Sequence, residues 1–243
     1  MRYALIADVH ANLPALEAVL RDVESKAPDV VYHLGDLVGY APWPNQVVDR
    51  VRAAGFPGIA GNYDSTIATG DRPPGQDEAS AFTFEWTMGE TTPENRAYLL
   101  SLPFRLDVRP LGGHAPGRTL TLVHAAPTLN TIAWWSHLPD EKHAEMAAQV
   151  GARAGDVIAF GHIHRPWYRE IEGIHFVSIG SVGRPKDGDP RACYVVLEME
   201  GDAVRVEFVR VEYDIEAAVR GIAESGLPAE YGEFLRTAGA AKG

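Results

Sequence analysis

The chain has 243 residues, 46% hydrophobic and 23% charged, the balance of a soluble globular protein with ample material for a core. Lys and Arg number 22 against 33 Asp and Glu, a net charge of −11, which argues against a broad basic face for nucleic acid. One cysteine excludes an internal disulfide, no apolar run approaches membrane-spanning length, and MRYALIADVH lacks a signal-peptide layout, so the expectation is a cytoplasmic protein in a reducing compartment.

RYALIADVH opens with an apolar run that reads as a buried strand from residue 2. Leu13, Leu16, Val19, Leu20 and Val23 then recur at helical spacing, with Asn12 as N-cap and Pro14 inside the first turn. DVVYHLGD is a second strand ending in Gly-Asp; GYAPWPN is a loop, QVVDRVRAAG a helix, and FPGIAGNYD a third strand followed by a glycine and polar residues. This alternation predicts a right-handed βαβ start on a largely parallel sheet. Residues from about 65 to 101 change character. A Gly/Pro-rich piece, TGDRPPGQ, precedes two helices around EASAFTFEWTMG and PENRAYLLSL, a helical insertion in one domain spanning 1–243. Strands RLDV and RTLTLVH, the aromatic loop TIAWWSH and a helix DEKHAEMAAQV follow. GDVIAFGHIH, WYREIEG, IHFVSIGS, ACYVVLEME and AVRVEFVRV come in quick succession, which predicts hairpins in a second sheet. Helices over about 213–238 close the chain.

Ligand-type residues gather at the carboxyl ends of these strands, where sites assemble in α/β sheets: Asp8 and His10, Asp36, Asn62, His124, and His162 with His164. In an extended backbone the last two, one residue apart, converge on one spot. Singly, each has a plainer role: Asp8 and Asn62 as caps or turn formers, Asp36 as a turn residue, a histidine as a hydrogen-bonded strand-end residue. Seven in this order are hard to produce by accident. Carboxylate, amide and imidazole without thiolate suit Mn, Fe, Zn, Ni or Co.

These residues resemble the pattern of the calcineurin-like metallophosphoesterases, and within them the small bacterial YfcE-like phosphodiesterase branch. The pattern D-x-H, G-D, G-N, H, G-H-x-H is present as Asp8-Val9-His10, Gly35-Asp36, Gly61-Asn62, His124 and Gly161-His162-Ile163-His164. The resemblance implies a four-layer α/β/β/α sandwich, two mixed sheets flanked by helices. It implies two divalent metal ions, manganese foremost: one held by Asp8, His10, Asp36 and His164, the other by Asp36, Asn62, His124 and His162, with Asp36 bridging. It implies hydrolysis of phosphate esters, diesters above all, by in-line attack of a metal-bridging hydroxide. Two divalent ions, two carboxylates and a hydroxide leave roughly +1, enough to attract a phosphate anion to an acidic protein. A phosphomonoesterase or nucleotide phosphatase on the same site is the alternative, as is a weakly catalytic metal-binding scaffold. The expected partner is a small phosphate ester or nucleotide, with no extended nucleic-acid face, no membrane, and homo-oligomerisation left open.

Asn62 is also expected to orient the phosphate. Tyr63 stands where the family text more generally has a histidine that helps the leaving group. A phenol titrating near about 10 is a poor proton donor at neutral pH, which predicts a preference for acidic leaving groups. Ala11, and Ala125-Ala126-Pro127 after His124, replace smaller steps of the family text without touching a ligand. Asn12 and Arg184 are the expected substrate contacts. His33 is expected to pack or hydrogen-bond, His114, His143 and His175 to lie on surface or loops, and His137 near the pocket in a structural role. Trp134, Trp135, Phe82, Phe84 and Trp86 are expected in core or cap packing, or as walls of a nucleotide-sized pocket or a dimer contact.

Overall fold

The computed structural model describes residues 1–110, 117–127 and 131–240. One sheet holds β1 (Arg2–Ile6), β2 (Val30–His33), β8 (Ala192–Glu200) and β9 (Ala203–Val211) in the order β2-β1-β8-β9. The other holds β3 (Arg105–Val108), β4 (Leu120–Val123), β5 (Val157–Phe160), β6 (Trp167–Ile171) and β7 (Ile174–Ser178) in the order β3-β4-β5-β7-β6. Both are mixed. β1 runs parallel to β2 and antiparallel to β8, while β4, β5 and β7 run parallel between antiparallel β3 and β6.

The two-residue period of a strand builds the layers. Tyr3 and Leu5 join Val195 and Leu197 on the face that packs against Leu120, Leu122, Val157, Ala159 and Val177 of the second sheet. The alternate residues Ala4 and Ile6 face outward with Tyr194 and Val196. They pack on Leu16, Val19 and Leu20 of α1 (Leu13–Lys26) and Val47, Val48 and Val51 of α2 (Pro44–Ala54). On the far side, Ile158, Phe160 and Phe176 pack on Trp134 and on Ala147 of α6 (Asp140–Val150). Helix, sheet, sheet and helix follow in sequence, the expected sandwich. Its strands end at one rim, which α7 (Ile215–Ser225) and α8 (Ala229–Thr237) partly cover through Ala218, Ile222, Tyr231 and Leu235 against Ala11 and Ala41.

Two expectations fail for physical reasons. FPGIAGNYD makes no strand: only His33 and Gly58 form a parallel bridge, because Pro57 has no N–H to give a ladder. Asn62 therefore opens a helix, α3 (Asn62–Thr69), instead of following a strand; α4 (Glu78–Glu90) and α5 (Pro93–Ser101) match the two helices expected next. The hairpin of β8 and β9 belongs to the first sheet, not the second. ACYVVLEME is almost wholly buried because β8 is central there, paired with β1 on one side and β9 on the other.

His33, as expected, is packed and hydrogen-bonded: it is fully buried, its Nε2 3.3 Å from the Tyr98 hydroxyl. His143 and His175 correct the sequence reading. His143 is buried on α6 beside Trp134, Trp167 and Phe176, and His175 lies on β7 with Nδ1 2.8 Å from the Tyr168 hydroxyl. His114 lies outside the described residues. Phe84 is buried, and Trp86 donates from Nε1 to the Ser225 carbonyl at 3.2 Å, but Phe82 is 48% exposed.

Burial pushes His33 down to about 4. An unfolded histidine titrates near about 6.5, so between those values the unfolded chain binds more protons and stability falls as pH falls. The full shift is worth on the order of 3 kcal/mol. Urea unfolding of the parent should lose stability between about pH 6.5 and 4, and His33→Gln should flatten that slope; equal slopes in both would exclude His33 as its source.

Candidate metal centre

The seven expected ligands come from five separate segments, and the fold brings all of them to one rim. Asp8 and His10 follow β1, Asp36 follows β2, Asn62 opens α3, His124 follows β4, and His162 and His164 follow β5. Asp8 Oδ1 lies 3.2 Å from His164 Nε2, which lies 3.1 Å from His10 Nε2. Asp36 Oδ2 is 3.4 Å from His124 Nε2 and 3.7 Å from His10 Nε2, so it sits between the two halves. Asn62 Oδ1 is 3.2 Å from His124 Nε2 and 3.0 Å from His162 Nδ1. Asp8 is common to two groups that could hold a cation, Asp8-His10-His164 and Asp8-Asp36-His124.

The local backbone is bent to achieve this. Asp8, His10, Asp36, His162 and His164 all have positive φ, between 49° and 67°. Non-glycine residues in this region cost on the order of 1–3 kcal/mol each and persist where surrounding structure over-determines them. His162 and His164 thus reach the site from a left-handed turn, not from the extended backbone expected, and they serve different neighbours: Asn62 for one, Asp8 and His10 for the other. Two glycines let the loops touch. A Cβ on Gly61 would lie 2.1 Å from Asp36 Oδ1, and one on Gly35, with φ of +85°, would lie 2.2 Å from the Gly61 nitrogen.

Three imidazoles are oriented through Nδ1, and two of them, His10 and His164, are neutral rings in one tautomer. Nδ1–H donates to the Val38 carbonyl from His10 (3.1 Å), to Leu34 from His124 (2.7 Å) and to Arg184 from His164 (2.5 Å). Such bonds to backbone carbonyls orient metal-ligating histidines and leave Nε2 free. Burial pushes His10 and His164 well below the usual imidazole range, so their Nε2 lone pairs face each other across 3.1 Å. Two acceptors at that distance call for a shared cation. Asp36 is held low: burial opposes its charge, but His124 and His10 outweigh it. His124 is raised to about 10; burial opposes that too, and the Asp36 charge prevails. A proton on His124 Nε2 is thereby the counter-charge of Asp36, and a divalent ion bound there would displace it. The residues fit a divalent metal site.

Other expected site residues are placed differently. Asn12 is buried, with Nδ2 donating to the Gly183 carbonyl (2.8 Å) and the Tyr213 hydroxyl (3.3 Å), and Oδ1 accepting from Ala15 N. It caps α1 and ties down a loop. Arg184 lies against aromatic rings, 4.1 Å from the Tyr40 centroid and 3.9 Å from that of Phe234, in a cation–π arrangement that anchors α8. Tyr63 donates its N–H to Asp36 Oδ1 at 2.8 Å and its hydroxyl to that of Tyr40. Burial drives its phenol far above the ordinary range, so it orients Asp36 and holds its own proton.

Two residues escaped the sequence reading. Asp64 is fully buried and accepts from Leu37 N (2.8 Å) and Gly61 N (3.0 Å), stapling the Asp36 loop to the Asn62 loop. Its position three residues past Gly61, at the start of a helix, was the available signal. Lys186 donates its backbone N–H to the His164 carbonyl at 3.1 Å, and burial with Arg184 nearby pushes its ammonium down to about 8. Two cavities meet the cluster. One of about 200 Å³ is lined by Asn62, Tyr63, Pro73 and Phe84, and one of about 240 Å³ by Trp135, His162, Arg165 and Lys186.

Paired mixed sheets between helices, with carboxylates and imidazoles converging at their rim, define a metallophosphoesterase-type fold. Residues 1–202 match the calcineurin-like phosphoesterase superfamily domain, and the chain belongs to that superfamily. It is 31% identical over 247 residues to an uncharacterized protein of Methanocaldococcus jannaschii, with 96% of each chain covered. The crystal structure of a metallophosphoesterase from Sphaerobacter thermophilus matches with a TM-score of 0.78 and 32% identity, over 98% of this chain and 99% of that one. The E. coli phosphoesterase Yfce shares the fold with a TM-score of 0.51 and 20% identity, over 87% of this chain and 100% of that one.

Proposed function

We propose that the protein is a dinuclear-metal phosphoesterase that hydrolyses phosphodiesters, with Asp8, His10, Asp36 and His164 holding one ion and Asp36, Asn62, His124 and His162 the other. The observation that carries this reading is the pair of imidazole Nε2 atoms 3.1 Å apart in fixed tautomers, beside two buried carboxylates. A divalent pair bound there supplies Lewis acidity toward phosphoryl oxygen and a nucleophile at neutral pH.

The chain's own residues do the rest. Asp36 Oδ2, lying between His10 and His124, is the atom placed to bridge, while its Oδ1 is fixed by the Tyr63 N–H. Asn62, neutral and 3.0 Å from His162, keeps the centre short of a third negative charge and turns an amide toward the phosphate. Manganese is the ion we favour for this oxygen and nitrogen set. The two cavities support a diester: each gives one ester arm a place beside the cluster.

Metal-stripped protein restored with individual ions, then assayed on paired mono- and diesters, tests this. Stripping should cut diester turnover at least about a hundredfold and manganese should restore it. Turnover indifferent to chelation would end the reading.

A further inference from the structure

The loop TIAWWSH splits its two tryptophans. Trp134 is buried, stacked on Phe160 at 4.7 Å with planes 10° apart, whereas Trp135 is 36% exposed and has His137 stacked beside it at 6.0 Å. The buried ring fastens the loop to the sandwich, which leaves its neighbour as a fixed aromatic wall. That wall belongs to the cavity of about 240 Å³ whose other sides are Ala133, His162, Ile163, Arg165 and Lys186. His162 is also the side chain through which the cavity meets the ligand cluster, 3.0 Å from Asn62.

The charges in this cavity are unusual for a chain of net charge −11. Neither Arg165 nor Lys186 has an ion-pair partner among the described residues; Lys186 feels the charges of Asp8 and Asp36 at longer range, as well as those of Arg184 and Arg165. Surface cations of an acidic protein commonly find such partners, as Arg2, Lys26, Arg169 and Arg210 do here. Two cations without an ion-pair partner among the described residues, beside an aromatic wall, favour a ligand that is both anionic and planar. Both line the space beyond His162, Lys186 on the side of Asp8 and Asp36.

We propose that this cavity is a subsite for a nucleotide arm: a base stacked on Trp135, and a phosphate additional to the reacting one held by Arg165 and Lys186. The proposal rests on the phosphoesterase reading and adds the class of ester, a nucleotide with at least two phosphates. Stacking on an indole is tolerant of base identity, so the subsite selects a nucleotide without selecting which one.

Calorimetric titration of manganese-loaded protein with ADP, AMP and inorganic phosphate tests it. AMP should bind about tenfold more tightly than inorganic phosphate, the scale of one base stack, and ADP more tightly still. Trp135→Ala should bring the AMP-to-phosphate ratio close to 1, Trp135→Phe should keep it, and Lys186→Met should shrink the gap between ADP and AMP. Equal affinity of the parent for AMP and phosphate, or an unchanged AMP-to-phosphate ratio in Trp135→Ala, overturns the subsite and leaves the metal centre standing. A parent that binds neither manganese nor phosphate overturns the phosphoesterase reading and the subsite together.

Discussion

Asp36→Asn is expected to lower kcat/KM for a diester about a thousandfold, which is about 4 kcal/mol of transition-state stabilisation, with a separate loss of stability in the metal-free fold. The two effects separate because Asp36 does two jobs with different oxygens. Oδ1 accepts the Tyr63 N–H, and an asparagine oxygen can do the same. Oδ2 lies between His10 and His124, and an amide nitrogen there is no ligand. The substitution also leaves His124, whose proton balances Asp36 in the metal-free protein, without its counter-charge, and that costs stability. Thermal unfolding reads the difference. Manganese at about a hundred times its Kd should stabilise the parent by about 2.7 kcal/mol, several degrees in Tm for a chain of this size. In Asp36→Asn that metal-dependent rise should vanish, and the metal-free Tm should fall with the loss of the pair to His124. Diester turnover within tenfold of the parent would remove Asp36 from the bridging role.

Asp64→Ala should cost about 3 kcal/mol or more of stability and lower diester turnover by about ten- to a hundredfold, although Asp64 touches no proposed ligand side chain. Removing the carboxylate strands the N–H groups of Leu37 and Gly61 in the interior, and an unsatisfied buried donor costs roughly 1–3 kcal/mol. Those two donors belong to the loops that carry Asp36 and Asn62, so the loss is transmitted to the site. Residues that orient ligands typically influence metal affinity or activity by about 10–100-fold. Asp64→Asn retains an acceptor and should recover part of both. A structural role alone would change urea unfolding and leave manganese affinity at the parent value; a weakened manganese affinity in Asp64→Asn, measured below its unfolding temperature, marks a positioning role.

The sandwich was legible in the sequence because strands facing two apolar layers must be apolar on both faces, and β1, β4 and β5 are. Sheet membership was less so. ACYVVLEME looks the same whether it pairs with its chain neighbours or with β1, since its burial reports only that it is central. FPGIAGNYD has apolar strand-like content, yet Pro57 cannot supply the ladder bond a strand needs. His143 was misplaced because a histidine in the polar stretch DEKHAEM reads as exposed until Trp134 is folded against it, and His175 because its apolar strand neighbours were given less weight than its own polarity.

By itself the sequence determined the ligand chemistry: which carboxylates, imidazoles and amide exist, and that glycines precede Asp36, Asn62 and His162. Those are covalent facts of spacing and residue type. Tertiary structure alone decided what those groups face, because contacts between Asp8 and His164, or between Asn62 and His162, span 156 and 100 residues of chain. It turned Asn12 into a cap, gave Arg184 to Tyr40 and Phe234, and left Arg165 and Lys186 beside Trp135. Burial and charge compensation are properties of the folded neighbourhood, and no single segment carries them.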